Sequence, residues 1–524
     1  MIYRSPYPDV PVPSVSLPEF VLGRARERGS HPALIDAATG AVTRYADLAD
    51  SVERLAAGLY GLGFRRGEVA AICAPTCVEF PIALFAVTGL GGAVTTMNPT
   101  FTPAEMARQL EDAGAIMAFT TPELADQVRE AGGGRLRHVL CFGEDAFTAL
   151  TRIPGSAPAV EIDPAQDVAV LPYSSGTTGA PKGVMLTHRN LVAMLLAMHP
   201  VEGTNERDVT IAVLPFFHIY GLAVILSLGL YRGATLVVSP RFQMEQFLAA
   251  VERWRVTRLP LVPPLVLRLA REPLVDRFDL SSVRVAVSGA APLPPHVASE
   301  LSERLHCLVK QGYGMTELSP GSHMHAEDAG TPPPGSVGVL HPNTECRLVD
   351  PATLRDVAAG ERGEIWVRGP QVMKGYLNRP EATAEMITPD GWLRTGDVGT
   401  IDEDGQLYVV DRLKELVKYK GFQVAPAELE ALLLSHPAVA DVAVVPKPDA
   451  EAGEIPKAFV VVRPDAPASA EELMAYVSAR VAAYKRVRDV EFVAEVPKSP
   501  SGKILRRILV DRERERAVSG RGGQ

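Results

Sequence analysis

The chain alternates between short apolar runs and longer stretches in which apolar residues recur every three or four positions. Residues 43–63 and residues 103–114 show the second pattern, and each predicts an amphipathic helix that stops at a glycine. Apolar runs such as residues 68–75 and 282–293 predict buried strands between helices. Because strands that alternate with helices are typical of parallel sheets, this part of the chain predicts an α/β architecture.

A proline-rich segment at residues 330–338 interrupts the alternation. Short strand-like runs follow it and predict a smaller β-rich subdomain. From Lys414 onward the pattern changes to a compact α+β unit, in which we expect one helix to begin at a capping box formed by Ser469 and Glu472. We therefore expect a large N-terminal domain over residues 1–411 and a smaller C-terminal domain over residues 415–524.

Composition narrows the function classes. A length of 524 residues with 47% hydrophobic and 22% charged residues is typical of a globular protein with more than one domain. The net charge of −9 disfavours nucleic-acid binding. The sequence shows neither a secretory leader nor an apolar stretch long enough to span a bilayer, so we expect a cytoplasmic protein that does not associate with membranes.

The densest polar motif is YSSGTTGAPKG, at residues 173–183, directly after a predicted strand. Glycines let backbone N–H groups approach an anion, hydroxyl groups donate to it, and a lysine neutralises its charge. Lys182 is also the first of only eleven lysines in the chain. A flexible linker is the ordinary alternative, but linkers do not lie between apolar strands. The motif predicts polyphosphate binding, and its spacing does not match a Walker loop.

Five collinear motifs resemble those of the adenylate-forming superfamily, which contains acyl-CoA synthetases, adenylation domains and beetle luciferase. They are the loop above, QGYGMTE at 311–317, TGD at 395–397, DRLKELVKYKGFQVAPAE from 411, and PKSPSGKILRR at 497–507. The branch they resemble most is that of the 4-coumarate–CoA ligases. The resemblance implies two α/β sheet subdomains and a small β-barrel-like subdomain in the large domain, followed by a mobile α+β C-terminal domain.

The resemblance implies a two-step reaction with ATP, Mg²⁺ and coenzyme A. Lys503, Lys418, His218, Thr178 and Glu317 would be catalytic, with Glu317 and Thr178 supporting the metal. The residues implied in binding ATP or AMP are Ser174, Ser175, Gly176, Thr177, Thr178, Gly179, Lys182, Gln311, Gly312, Tyr313, Thr316, Asp397, Arg412 and Gln423. The resemblance also implies a hinge over residues 412–414, with Lys414 as the residue about which the small domain rotates between the two steps.

The resemblance also implies an acyl pocket and a coenzyme A channel. The implied acyl contacts are Tyr220, Ala290, Gly312, Pro320, Gly321 and Met324, and the implied coenzyme A contacts are Arg241, Lys420 and Gly421. Plant coumarate ligases carry a bulky residue where this chain has Gly321, which indicates room for a substituted ring or a longer acid. Arg241 replaces a family lysine and keeps its charge.

We expect an ATP-dependent carboxylic acid–CoA ligase that acts on cinnamate-type aryl acids. A medium-chain fatty acid–CoA ligase would share the fold. A stand-alone adenylating enzyme would pass its acyl-AMP to a carrier protein or a nitrogen nucleophile, and a non-catalytic nucleotide-binding protein would have no need of Lys503. Without the resemblance, His218 would be interpreted as an ordinary core histidine, because it is a lone histidine in an apolar run.

Overall fold

The computed structural model describes residues 1–174, 181–420, 422–449, 451–464, 466–499 and 502–519. It shows a mixed α/β protein with a large N-terminal domain and a smaller C-terminal domain. The largest hydrophobic core contains residues from Leu17 to Leu407, and a separate core contains residues from Val417 to Val487. Within the described residues, no helix combines the length and the apolar character needed to cross a bilayer.

The first large sheet is mainly parallel and holds the predicted phosphate loop at one side. Its strands, in spatial order, are Gly375–Tyr376, Lys182–Thr187, Val168–Val170, Ala93–Met97, Val69–Cys73, Ala115–Thr120 and His138–Cys141, and Tyr173–Ser174 also pairs with Lys182–Thr187. The predicted run at residues 68–75 is therefore the central strand Val69–Cys73. Its residues are almost wholly buried because the sheet is covered on both faces.

The second large sheet brings the adenine and acyl motifs side by side. Its strands, in spatial order, are Val339–Leu340, Gly321–Met324, Leu308–Gly314, Val285–Ser288, Arg258–Leu261, Val209–Ala212, Thr235–Val238, Pro32–Asp36 and Val42–Arg44. The inner strands are parallel, and the pairing becomes antiparallel at both edges. Residues 311–317 thus emerge at the carboxyl end of a parallel strand, where α/β sheets bind ligands.

An antiparallel sheet follows in the chain and corresponds to the predicted small β subdomain. Its strands are Tyr3–Arg4, Glu345–Val349, Gly363–Arg368, Leu393–Ile401 and Leu407–Arg412. The C-terminal domain contains the strands Phe422–Val424, Val417–Tyr419, Gly453–Val462, Val439–Asp449 and Asp489–Phe492. The position of the hinge at residues 412–414 stays a prediction; Lys414 lies exposed in a turn after Leu407–Arg412.

Helices cover the sheets, and their ends follow the local sequence. Pro103–Ala113 begins at a capping box of Thr102 and Glu105 and ends at Gly114, which has a φ of 64°. The capping box of Ser469 and Glu472 is confirmed. The other helices are Leu17–Leu22, Ala25–Arg28, Tyr45–Gly61, Glu79–Gly89, Ala125–Gly132, Asp145–Leu150, His188–Glu202, Leu228–Arg232, Met244–Trp254, Pro263–Arg271, Pro295–Leu305, Pro380–Met386, Pro426–Leu434, Ala470–Ser478 and Arg506–Ser519, and Tyr220–Ser227 is a π-helix.

Candidate active site

Ser174 and Lys182 lie opposite each other in a short antiparallel pair at the base of the predicted phosphate loop. The remaining predicted loop residues, Ser175, Gly176, Thr177, Thr178 and Gly179, lie outside the described residues, as does Gly421. The Lys182 ammonium lies over the ring of Tyr376, 4.9 Å from its centroid. The lysine is thereby held at the sheet edge by a cation–π contact.

Tyr376 also connects the phosphate loop to Glu317. Its hydroxyl donates to Oε1 of Glu317 at 2.8 Å, and the Glu317 side chain is buried. Tyr376 reaches this position because its strand, Gly375–Tyr376, pairs with Val184 and Met185 of the strand that begins at Lys182. The sequence motifs gave no signal for Tyr376, which lies far along the chain from both of its partners.

The donor set around Glu317 is compatible with magnesium bound mainly through substrate phosphates. The described residues contain no group of three or more His, Cys, Asp and Glu side chains that could hold a metal by themselves. Mg²⁺ is usually held by one or two carboxylates together with waters and phosphate oxygens, so one buried carboxylate beside a phosphate loop fits that chemistry. The contribution of Thr178 lies outside the described residues.

Asp397, Arg412 and Tyr313 form one contact group. Asp397 and Arg412 are cross-strand partners, and their side chains make an ion pair of 3.3 Å. The Tyr313 hydroxyl donates to Oδ2 of Asp397 at 2.7 Å. Burial raises the pKa of Asp397, while the Arg412 guanidinium opposes that shift. The structure thus joins three residues that the sequence placed in separate motifs.

The residues predicted to border the adenine follow along the same strand. Gln311 is buried, and its Oε1 accepts the backbone N–H of Leu293 at 3.1 Å, which fixes the amide orientation. Gly312 faces Met324, whose terminal carbon would lie 3.0 Å from a Cβ at position 312. A side chain there would need Met324 to move, so glycine keeps this wall flat. Thr316 begins a short 3₁₀ turn with Glu317.

Lys503 is brought to this group from the C-terminal domain. The charges of Arg412, Glu415 and Asp397 act on Lys503, and the charge of Lys503 acts on His218. Burial, together with the Arg412 charge, lowers the pKa of Lys503 to about 8. The adjacent Gly502 has a φ of 77°, and a Cβ there would lie 3.1 Å from Val262 of the large domain. Glycine therefore allows this turn to approach the large domain closely.

Arg506 holds the segment that carries Lys503, and the sequence motifs did not single it out. Its two terminal nitrogens contact Glu415 and Glu430, each at 2.6 Å. All three side chains are largely buried, so the pairs are weakly screened by solvent. Glu415 comes directly after the predicted hinge residue Lys414, so these ion pairs join that segment to the start of the last helix.

Tyr220 begins the π-helix on the acyl side and is buried. Its hydroxyl donates to the backbone carbonyl of Val287 at 3.0 Å. A Cβ at Gly289 would lie 3.2 Å from the Tyr220 ring, so the glycine lets the ring lie flat against the turn. Ala290 follows with a φ of 72°, an uncommon backbone conformation for a residue with a Cβ, and is exposed.

His218 lies beside Tyr220 and is neutral at pH 7. Burial, with the Lys503 charge, lowers the pKa of His218 to about 4. Its Nδ1 accepts the backbone N–H of Tyr220 at 3.3 Å, so the ring proton of the neutral form resides on Nε2. The neutral ring can therefore donate a hydrogen bond from Nε2.

Gly321 and Met324 lie on the strand that pairs with the adenine strand. A Cβ at Gly321 would lie 3.2 Å from His341 and 3.6 Å from Met194. Pro320 precedes it after a cis peptide bond. His341 and Met194 are thus the nearest neighbours of position 321, and the enlarged acyl space at Gly321 stays a prediction.

Three of the residues predicted for the second step, Lys418, Lys420 and Gln423, are exposed on the C-terminal domain. Lys418 and Gln423 are partners in a hairpin, and the Lys420 ammonium pairs with Glu451. Arg241 is exposed on the large domain. Within the described residues no hydrogen bond or ion pair joins these four side chains to Asp397 or Lys503. The use of this second face stays a prediction.

Comparisons with known proteins match both domains to the same family of enzymes. A family model described as AMP-binding enzyme matches residues 23–377, and one described as AMP-binding enzyme C-terminal domain matches residues 428–503. The chain is 45% identical over 523 residues to 4-coumarate–CoA ligase 5 of Oryza sativa subsp. japonica, covering 97% of this chain and 96% of that protein. It is 42% identical over 534 residues to 4-coumarate–CoA ligase 1 of Arabidopsis thaliana, covering 97% and 95%.

Solved structures that are similar to this chain over nearly its whole length include a CoA ligase and an ATP-bound protein. The anthranilate CoA ligase AuaEII, in complex with anthranoyl-AMP, is similar with a TM-score of 0.89 and 27% identity, covering 97% of this chain and 99% of that one. ATP-bound MatB from Rhodopseudomonas palustris is similar with a TM-score of 0.87 and 29% identity, covering 95% and 99%. The sequence and the fold therefore point to one family over nearly the whole chain.

Proposed function

This chain belongs to the AMP-binding enzyme family, and we propose that it is an ATP-dependent acid–CoA ligase that acts on 4-coumarate-type acids. The observation that carries the proposal is the close approach of the Lys503 segment to the large domain, where Gly502 lies against Val262 and where the charges of Asp397 and Arg412 act on Lys503. A protein that only bound a nucleotide would not need a buried lysine at this position. The full-length similarity to 4-coumarate–CoA ligases supports the choice of acid.

In the first step a carboxylate oxygen of the acid attacks the α-phosphorus of ATP, and pyrophosphate leaves. Both reactants are anions, so the main contribution of the protein is positioning and charge stabilisation. We assign Lys503 to the acid carboxylate and the α-phosphate, and Lys182 to the outer phosphates. Asp397 and Arg412 would hold the ribose hydroxyls. Magnesium, supported by Glu317, would supply further positive charge to the phosphates.

In the second step the sulfur of coenzyme A attacks the acyl carbonyl, and AMP leaves with the electrons of the broken C–O bond. Because the neutral His218 ring carries its proton on Nε2, we assign it to donate to an oxygen of the acyl group. The thiol proton is released to solvent or to AMP. Lys418, Lys420, Gln423 and Arg241 are the proposed contacts of the second step, after a rotation of the C-terminal domain about Lys414.

The test measures pyrophosphate release with cinnamic, benzoic and C6–C12 acids, with and without coenzyme A, followed by mass spectrometry of the products. We expect a 4-coumaroyl- or cinnamoyl-CoA product that depends on ATP and magnesium. A preference for a C6–C12 acid would mean that the substrate is an aliphatic acid and not an aryl acid. Pyrophosphate release without any CoA thioester would contradict the ligase proposal and redirect the search to a carrier protein or a nitrogen nucleophile.

A further inference from the structure

Two buried histidines stand behind Gly321, and the reaction described above does not use either of them. His323 and His341 are each 1% exposed. Among the described residues, neither ring nitrogen of His341 has a hydrogen-bond partner, and Nε2 of His323 also has none. The other nitrogen of His323 is paired with the Ser322 hydroxyl at 2.9 Å. Buried polar atoms without partners are uncommon in folded proteins and require an explanation.

The strand pairing places His341 against the space left by Gly321. His323 lies opposite Leu340 across an antiparallel pair, and His341 follows directly, with its backbone N–H donated to the carbonyl of Ser322 at 2.8 Å. Cε1 of His341, the carbon between its two nitrogens, would lie 3.2 Å from a Cβ at Gly321. The edge of the ring that carries the unpartnered nitrogens therefore borders Gly321, one of the proposed acyl contacts.

The electrostatic surroundings keep this histidine neutral. Burial, together with the charge of Lys310, lowers the pKa of His341 to about 3. The Lys310 ammonium is itself used, because it donates to the carbonyls of Val201 and Glu202 at 2.8 and 3.1 Å. A neutral imidazole offers one N–H donor and one acceptor nitrogen, which suits a neutral polar group of the substrate. A second carboxylate on the substrate would need a cation, and neither His341 nor the already paired Lys310 provides a free one.

We propose that His341 binds a phenolic hydroxyl at the far end of the acid and so selects hydroxylated over unsubstituted rings. The inference rests on the proposed function, and it names the residue that recognises the distal substituent. A hydroxyl can donate to one imidazole nitrogen and accept from another, which matches a neutral ring. An aliphatic chain end would leave the nitrogens unpaired, and a leucine at position 341 would suit it better.

The experiment compares 4-coumarate with cinnamate, which differ only in that hydroxyl, in the wild type and in His341→Leu. We expect kcat/KM for pyrophosphate release to fall about tenfold or more with 4-coumarate and to stay within about twofold with cinnamate, because only the former loses a hydrogen bond. His341→Gln, which keeps donor and acceptor atoms, should recover part of the 4-coumarate rate. His199→Leu is the matched control, since His199 is exposed on the helix His188–Glu202.

Equal loss with both acids in folded His341→Leu would overturn the inference and leave the histidine a structural role. If both His341 variants fail to fold, the wild type decides: a cinnamate kcat/KM equal to that for 4-coumarate overturns the inference, and a clear preference for 4-coumarate supports it. The proposed function fails separately, when wild-type enzyme forms acyl-AMP but no CoA thioester. In that case the selectivity of acyl-AMP formation still reports on His341.

Discussion

The two domains supply the active site in different physical ways. In the large domain, the strand Leu308–Gly314 is paired with Val285–Ser288 on one side and Gly321–Met324 on the other, so Gln311 and Tyr313 are fixed by backbone ladders. In the small domain, Lys503 is positioned by a turn, by the ion pairs of Arg506 and by the close approach of Gly502 to Val262. Gln311 and Tyr313 are therefore held by a sheet, whereas Lys503 is held by side-chain contacts and a turn.

Some charged groups of the large domain are also more deeply buried than Lys503 of the small domain. Beneath the adenine strand, the fully buried Arg258 pairs with Glu202 at 2.7 Å and contacts Glu327, which also lies 3.5 Å from Lys310. Arg258, Glu202 and Lys310 are buried, and Glu327 is only partly exposed. Burial lowers the pKa of both Lys310 and Lys503, but Lys310 is fully buried whereas Lys503 is only partly buried and can meet a substrate. We therefore assign the group around Arg258 to the stability of the fold and propose Lys503 for the chemistry.

The largest expected effect is on stability. Arg258→Met removes the cation from a buried group and leaves Glu202 and Glu327 short of a partner, which should lower the free energy of unfolding by about 3–5 kcal/mol. Denaturant unfolding of the full chain measures it. Lys374→Met, at an exposed lysine, is the control and should change the free energy by less than about 0.5 kcal/mol. A small effect at Arg258 would contradict the structural assignment.

Lys503→Ala should act on chemistry without acting on the fold. We expect acid-dependent pyrophosphate release to fall about 10²–10³-fold, because a cation aimed at the transition state is removed. Thioester formation from preformed acyl-AMP and coenzyme A should be retained. Lys498→Ala is the matched control, because this lysine of the same segment pairs with Asp441 instead. Equal loss of both half-reactions would show that the lysine is not specific to the first step.

Gly321→Val tests whether the large domain alone sets the size of the acid. The added side chain would press on His341 and Met194, so kcat/KM for ring-substituted cinnamates should fall about ten- to hundredfold, with a smaller change for cinnamate. Steady-state kinetics across a series of methoxy- and hydroxycinnamates measures the effect. Unchanged selectivity would remove position 321 from the pocket.

The pH dependence of the first step should report on Lys503 alone. Its pKa is lowered from 10.5 to about 8, so the side chain is a cation below pH 8 and becomes neutral above it. We expect kcat/KM for pyrophosphate release to decline by about tenfold for each pH unit above 8. Lys503→Arg should remove the decline, since a guanidinium stays protonated. A wild-type profile that is flat to pH 10 would disagree with the assignment.

Local sequence determined the secondary structure and the chemistry of the motifs. The helix Pro103–Ala113 and the capping box of Ser469 and Glu472 depend on hydrogen bonds between residues three or four positions apart, which a pattern can reveal. The glycine-rich loop, Asp397, Arg412 and Lys503 could likewise be identified as motifs. The pairing of the short N-terminal strand Tyr3–Arg4 with Glu345–Val349 had no such local signal.

Tertiary structure alone decided which residues meet. Tyr376 contacts Glu317, Arg506 contacts Glu415, and His341 lies behind Gly321, although each pair is joined only through the folding of distant segments. Burial, which lowers the pKa of Lys503 and keeps His218 neutral, is also a property of the packed chain. The sequence by itself determined the types of group available for adenylation. Their distances, their partners and their charge states depend on packing and desolvation, which no local pattern encodes.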